Sequence, residues 1–211
     1  MSGTLQSNEV VNEDEIRRWQ EKALGYYYSG AIPSDYDNYD IDTLILMGEQ
    51  SDLRALDMLA FKYLVIRDYG NARRAYKKSA VLGSTFALKR LGTMEYNSSS
   101  SPNEEPRVRS INELSYHQAG ILRGDTQLLM DASSTIKFIA GELTEEEKKL
   151  VQKKGLLIYH QLEVARRDLG LSPFKNKIPE YLLGYFESNI SYFEGSPLRE
   201  LSYFSIPSIK D

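Results

Sequence analysis

The residues best placed to do chemistry lie in one short stretch, Asp35-Tyr36-Asp37-Asn38-Tyr39-Asp40-Ile41-Asp42. Its alternating aspartates can offer oxygen ligands to a hard cation such as calcium. The helix–loop–helix calcium pattern also needs a central glycine and a closing glutamate, and both are missing here. Two other readings stand. In one, Tyr36 and Tyr39 supply rigid contact area while Asp35 and Asp37 meet a basic protein partner. In the other, the stretch is a solvated turn whose Asp40 caps the next helix. The chain has two histidines, His117 and His160, each in a helical run. Neither has a carboxylate four residues later or a second histidine nearby to complete a metal set, so both are read as helix-packing or helix-surface residues. No Gly-Lys-Ser/Thr phosphate loop, Gly-x-Ser-x-Gly elbow or dinucleotide fingerprint occurs. The chain is therefore read as a non-enzyme with no cofactor and no metal. A hydrolase with an unfamiliar site is the alternative from another class.

The elements that must hold these residues are helical, and they repeat. One copy reads Ala55-x-x-x-Leu59-Ala60-x-x-Tyr63 and the next Ala87-x-x-x-Leu91-Gly92-x-Met94-x-Tyr96. A weaker copy precedes them, Gln20-x-x-x-Leu24-Gly25-x-Tyr27-Tyr28. Starts at 20, 55 and 87 have the spacing of stacked helix pairs, in which each unit buries its apolar face only against its neighbours. A partner helix follows in the best copy, with Ala72, Ala75, Ser79 and Ala80 as a narrow ridge and Gly83 at its end. A third unit over 87–125 keeps Tyr116, Ala119, Gly120 and Gly124, offset by one residue.

These residues resemble the Sel-one-like repeat, a relative of the tetratricopeptide repeat, over about half of the chain. The resemblance implies an all-α, right-handed solenoid of about four antiparallel helix pairs. Residues 1–172 form the repeat domain. Residues 173–211, rich in tyrosine, phenylalanine and proline, form an aromatic C-terminal cap packed on the same domain. Thr144-Glu-Glu-Glu147 predicts a capping box for the last helix, expected to run to about 169. Asn12 to Glu15 predicts a helix start near Glu13.

The resemblance also implies that the first helices of the units line a concave face. Tyr26, Phe61 and Thr93 share one off-stripe position, and Lys22, Asp57 and Lys89 lie four residues earlier in each copy. Either these six make a mixed aromatic-and-charged groove or they are ordinary surface. With Asp35, Tyr36, Asp37 and Tyr39 they are the candidate partner-binding residues. Tyr63, Tyr76 and Tyr96 fall on packing positions and are read as core with the hydroxyl at the edge.

Composition sets the remaining bounds. A chain of 211 residues can build one substantial core. The net charge of −4 argues against a nucleic-acid backbone as the partner. No run is apolar enough for a membrane span, and the first nineteen residues do not read as a secretory signal. Absence of cysteine excludes disulfide scaffolds and suits a reducing, cytoplasmic setting. The function expected is protein binding by a monomer or weak homo-oligomer. Its most concrete form is a bacterial immunity or antitoxin-like protein that neutralises a basic toxin or effector, and an adaptor in a larger assembly is the alternative.

Overall fold

The computed structural model describes residues 13–25, 34–97, 105–125, 127–128, 131–132, 135 and 143–174, and every regular element among them is helical. Helix α1 (Glu13–Trp19) runs into a wider π-type turn (Gln20–Leu24). A 3₁₀ turn (Ser34–Asn38) leads to α2 (Ile41–Glu49), α3 (Leu53–Val65), α4 (Tyr69–Leu82) and α5 (Thr85–Asn97). Helix α6 spans Pro106–Ile121, and α7 spans Glu145–Asp168. Between them, residues 127–128, 131–132 and 135 are also helical. No helix among the described residues is long and apolar enough to cross a membrane.

Consecutive helices from α2 to α6 pack on one another, and α7 packs on α6 and on α4. The turns between α2, α3, α4 and α5 are short, the length typical of helix hairpins. Each turn from a second helix to the next first helix is built alike. Ser51, Gly83 and Gly124 take positive φ (68°, 130° and 85°), and Asp52, Ser84 and Asp125 follow them. Each of those three amides donates to the carbonyl five residues back, on Met47, Ser79 and Gly120, at 3.0–3.2 Å. Each of those three side chains then caps the next helix: Asp52 accepts from the Ala55 amide, Ser84 from Ala87, and Asp125 from Leu128.

A small residue four or five places before each cap meets a leucine eight residues on. Gly48 lies against Leu56 and Gly120 against Leu128, and Ala80 and Leu88 hold the same positions in the middle unit. In the third unit the small residue, Gly120, stands five places before the cap instead of four, the one-residue offset expected from sequence. All six of these packing residues are buried.

The weaker first copy departs from the expected pattern. Gly25 aligns with mid-helix positions Ala60 and Gly92, but it ends the π-type turn in a left-handed conformation (φ 57°). Its carbonyl accepts from the Ser84 hydroxyl at 3.2 Å. The end of the first helical run therefore meets the start of α5. Tyr26, Tyr27 and Tyr28 lie outside the described residues, as does the aromatic segment beyond Phe174.

Asn12, at the expected start of the first helix, lies outside the described residues. Local expectations at the starts of α2 and α7 are met. Asp40 accepts from the Thr43 amide at 2.8 Å and caps α2. Thr144 and Glu147 form a reciprocal capping box at the start of α7. Tyr76 is core, with its oxygen accepting from Arg90, while Tyr63 and Tyr96 are half-buried.

Candidate partner-binding surface

The acidic turn is fastened to α3 at two points. The Tyr36 hydroxyl donates to Asp52 at 2.8 Å, and the Lys62 ammonium donates to the Asp37 carbonyl at 2.9 Å. Burial, reinforced by the bond to Asp52, pushes the Tyr36 phenol up to about 12. Its ring meets Tyr39 edge to face, with centroids 5.8 Å apart. This arrangement leaves Asp35, Asp37 and Tyr39 exposed. Among the described residues no group of three or more His, Asp or Glu side chains is placed to hold a metal ion.

Beside this turn, α3 shows apolar side chains to solvent. Phe61 and Val65 lie one helical turn apart, Ile66 follows at the helix end, and Tyr69 starts α4; their exposures run from 45% to 65%. The sequence singled out Phe61 alone. Val65, Ile66 and Tyr69 were missed because a repeat template ranks positions by packing and this patch sits at the turn where packing ends.

The six-residue groove does not form as one surface. Phe61 and Lys22 are exposed, and Tyr26 lies outside the described residues. Asp57 is a correction: it is fully buried, accepting from the hydroxyls of Ser79 at 2.7 Å and Ser84 at 3.1 Å. Asp57 and Phe61 do share a helix face, but the end of α4 and the start of α5 cover that face at Asp57 and leave it open at Phe61.

Lys89 and Thr93 come together with residues the sequence did not link to them. Lys89 pairs with Asp131 at 2.8 Å, and the Thr93 hydroxyl lies 3.3 Å from Glu113 and 3.2 Å from the Lys89 carbonyl. Beneath them His117 is buried, with no hydrogen-bond partner on either ring nitrogen among the described residues. Burial lowers it to about 4, with Asp131 raising it and Lys89 lowering it in smaller measure. Glu113, four residues before His117, is raised by burial. His117 is 2% exposed, consistent with the packing position read from sequence.

A second polar layer joins the helix ends. The Thr85 hydroxyl bonds Asp125 and the Leu24 carbonyl, and the Arg123 guanidinium donates to the carbonyls of Gly83 at 2.7 Å and Ala23 at 3.4 Å. Burial pushes Asp57 up to about 7 and Asp125 up to about 6, against their hydroxyl and amide donors.

Hydrogen counting agrees with those directions. The Ser84 hydroxyl has one proton but two acceptors within reach, Gly25 and Asp57, and Thr85 has one proton for Leu24 and Asp125. When protonated, the carboxyl of Asp57 or Asp125 can supply the missing donor. These buried groups bind helix ends together and have no access to a ligand. No protein-family model, curated protein or solved structure matches this chain.

Proposed function

We propose that the chain is a protein-binding helical-repeat module of the right-handed solenoid type, its last segment serving as an aromatic cap. The observation that carries this reading is the exposed patch of Phe61, Val65, Ile66 and Tyr69 beside a rigidly held turn bearing Asp35 and Asp37. Clustered apolar side chains beside exposed Asp35 and Asp37 suit a protein partner that covers the apolar area and offers basic groups to the acidic turn. The repeated turns add support, because they hold this surface on short, capped helices that need little ordering on binding.

In its most concrete form the module is a cytoplasmic immunity or antitoxin-like protein that neutralises a basic toxin or effector by occlusion. Co-expression with the products of neighbouring genes tests this directly. Protection from one toxic product, lost with Phe61→Ala/Val65→Ala, supports it. Absence of protection against every neighbouring product refutes the neutraliser form and leaves the adaptor reading.

A further inference from the structure

The first helical run meets the rest of the fold through consecutive backbone carbonyls at its end, where helix carbonyls need outside donors. Ala23 accepts from Arg123 at 3.4 Å, Leu24 from the Thr85 hydroxyl at 3.1 Å and Gly25 from the Ser84 hydroxyl at 3.2 Å. Leu24 is fully buried, and Trp19 is half-buried against the same core. Nearer the surface, Glu21 pairs with Arg54 at 3.6 Å.

Both hydroxyl donors are shared with a buried acid. Ser84 also reaches Asp57 Oδ2 at 3.1 Å, and Thr85 bonds Asp125 Oδ2. The other oxygen of each acid is already engaged: Ser79 donates to Asp57 Oδ1 at 2.7 Å, and the amides of Gln127 and Leu128 donate to Asp125 Oδ1. Each hydroxyl carries one proton, so the acid decides where it points. A protonated acid donates its Oδ2–H to the hydroxyl oxygen, and the hydroxyl proton turns to the carbonyl of the first run. The Ser84 oxygen then has both lone pairs filled, by Asp57 and by the Ala87 amide at 3.0 Å. An ionised acid draws the hydroxyl proton to itself, because a bond to a carboxylate is the stronger one. The carbonyl of Leu24 or Gly25 is then left without that donor.

We propose that Asp57 and Asp125 form a proton-operated clasp, which holds residues 13–25 against the start of α5 when the acids are protonated and loosens that run when they ionise. The charges around each acid oppose one another. Arg90 of α5 favours ionisation of Asp57 and Asp52 opposes it, with Tyr76 of α4 also close by. Asp131 opposes ionisation of Asp125, while Arg123, itself near Arg166 and Glu163 of α7, favours it. Burial outweighs these charges and raises Asp125 to about 6 and Asp57 to about 7. A raised acid binds its proton more tightly in the docked state, so docking is strongest at low pH and weakens as pH rises through those values.

Trp19 is the single tryptophan of the chain, so its fluorescence reports on this run. The test follows Trp19 emission and its quenching by acrylamide in the full chain from pH 5 to pH 8, with far-UV circular dichroism alongside. Each carbonyl left without its donor is worth about tenfold in the opening of the run, so about a hundredfold is expected from both. It should appear as a red shift and stronger quenching as pH rises, with the helix content of the remaining fold retained. Hydrogen-exchange protection over residues 20–25 reads the same change. In Asp57→Asn/Asp125→Asn the side-chain amides donate to Ser84 and Thr85 at every pH, and Trp19 should stay as it is in the wild type at pH 5. Each single variant should remove one of the two steps. Thr85→Val, which lacks one hydroxyl, should loosen Trp19 already at pH 5. A wild-type signal that does not move, or one that moves equally in the double variant, overturns the clasp. So does loss of helix throughout the chain in step with Trp19, or a Thr85→Val protein that matches the wild type at pH 5.

Discussion

Replacing Asp57 with asparagine keeps the shape of the buried layer and removes its titration. In the folded chain Asp57 is raised from 3.8 to about 7 by burial. An acid whose folded pKa lies above its unfolded one holds an extra proton in the folded state. Its contribution to stability is therefore full at low pH and is lost as pH rises from about 4 through about 7. Each pH unit crossed between those two values is worth about 1.4 kcal/mol, so the wild type loses about 3 kcal/mol from this group between pH 5 and pH 8. The variant loses none of it, because the amide can donate to Ser84 and accept from Ser79 at any pH.

The assay is urea unfolding of both proteins at intervals from pH 5 to pH 8, read as the difference between them. Subtraction cancels the other buried groups, including Asp125, raised to about 6, and His117, lowered to about 4. The variant should gain on the wild type by about 3 kcal/mol over that range. With a urea slope of about 2 kcal/mol per M, the midpoint difference grows by about 1.5 M. Parallel curves would overturn this prediction: they would mean that the serine hydroxyls hold Asp57 ionised at every pH tested.

His117→Gln is expected to show the opposite sign. A buried neutral imidazole loses stability as pH falls from 6.5 toward 4, so the wild type weakens relative to the variant by about 3 kcal/mol across that window in urea unfolding extended down to pH 4. Ser51 sits at φ 68°, where a Cβ is strained, and Ser51→Gly should raise stability by about 1 kcal/mol in thermal or urea unfolding. A Cβ on Gly155 meets the Ser115 carbonyl at 3.1 Å and Gln118 side-chain atoms at 2.3 and 2.5 Å, so Gly155→Ala should cost about 1–2 kcal/mol despite its better helix propensity. Phe61→Ala/Val65→Ala, on an exposed face, should change unfolding by less than about 1 kcal/mol while removing partner binding.

Helix ends were legible in the sequence because capping is local chemistry. Asp40, the Thr144–Glu147 box and Gly83 each act within a few residues, so residue type and spacing suffice. The packing of small residues on leucines was partly legible for the same reason, since it recurs in each unit. Asp57 was not, because its burial depends on Ser79 and Ser84, more than twenty residues away in the chain. The template placed it on the same face as Phe61, which is geometrically right and physically incomplete, since that face is covered at one end only.

Gly25 failed for a related reason. Its Leu-Gly spelling matches two mid-helix pairs, yet here the helical run stops and its carbonyl caps a contact with Ser84 across the fold. The exposed patch around Val65 left no sequence signal a packing pattern could report. What made it visible was the combination of a helix end and an acidic turn pinned beside it.

The proposed function rests on the surface of α3 and the acidic turn gripping another protein. Affinity capture from the native host with the full chain, beside Phe61→Ala/Val65→Ala, tests that grip most directly. One stoichiometric partner with a basic contact face is expected, retained by the wild type and lost by the variant. A partner held equally by both proteins, or none held by either, would contradict it.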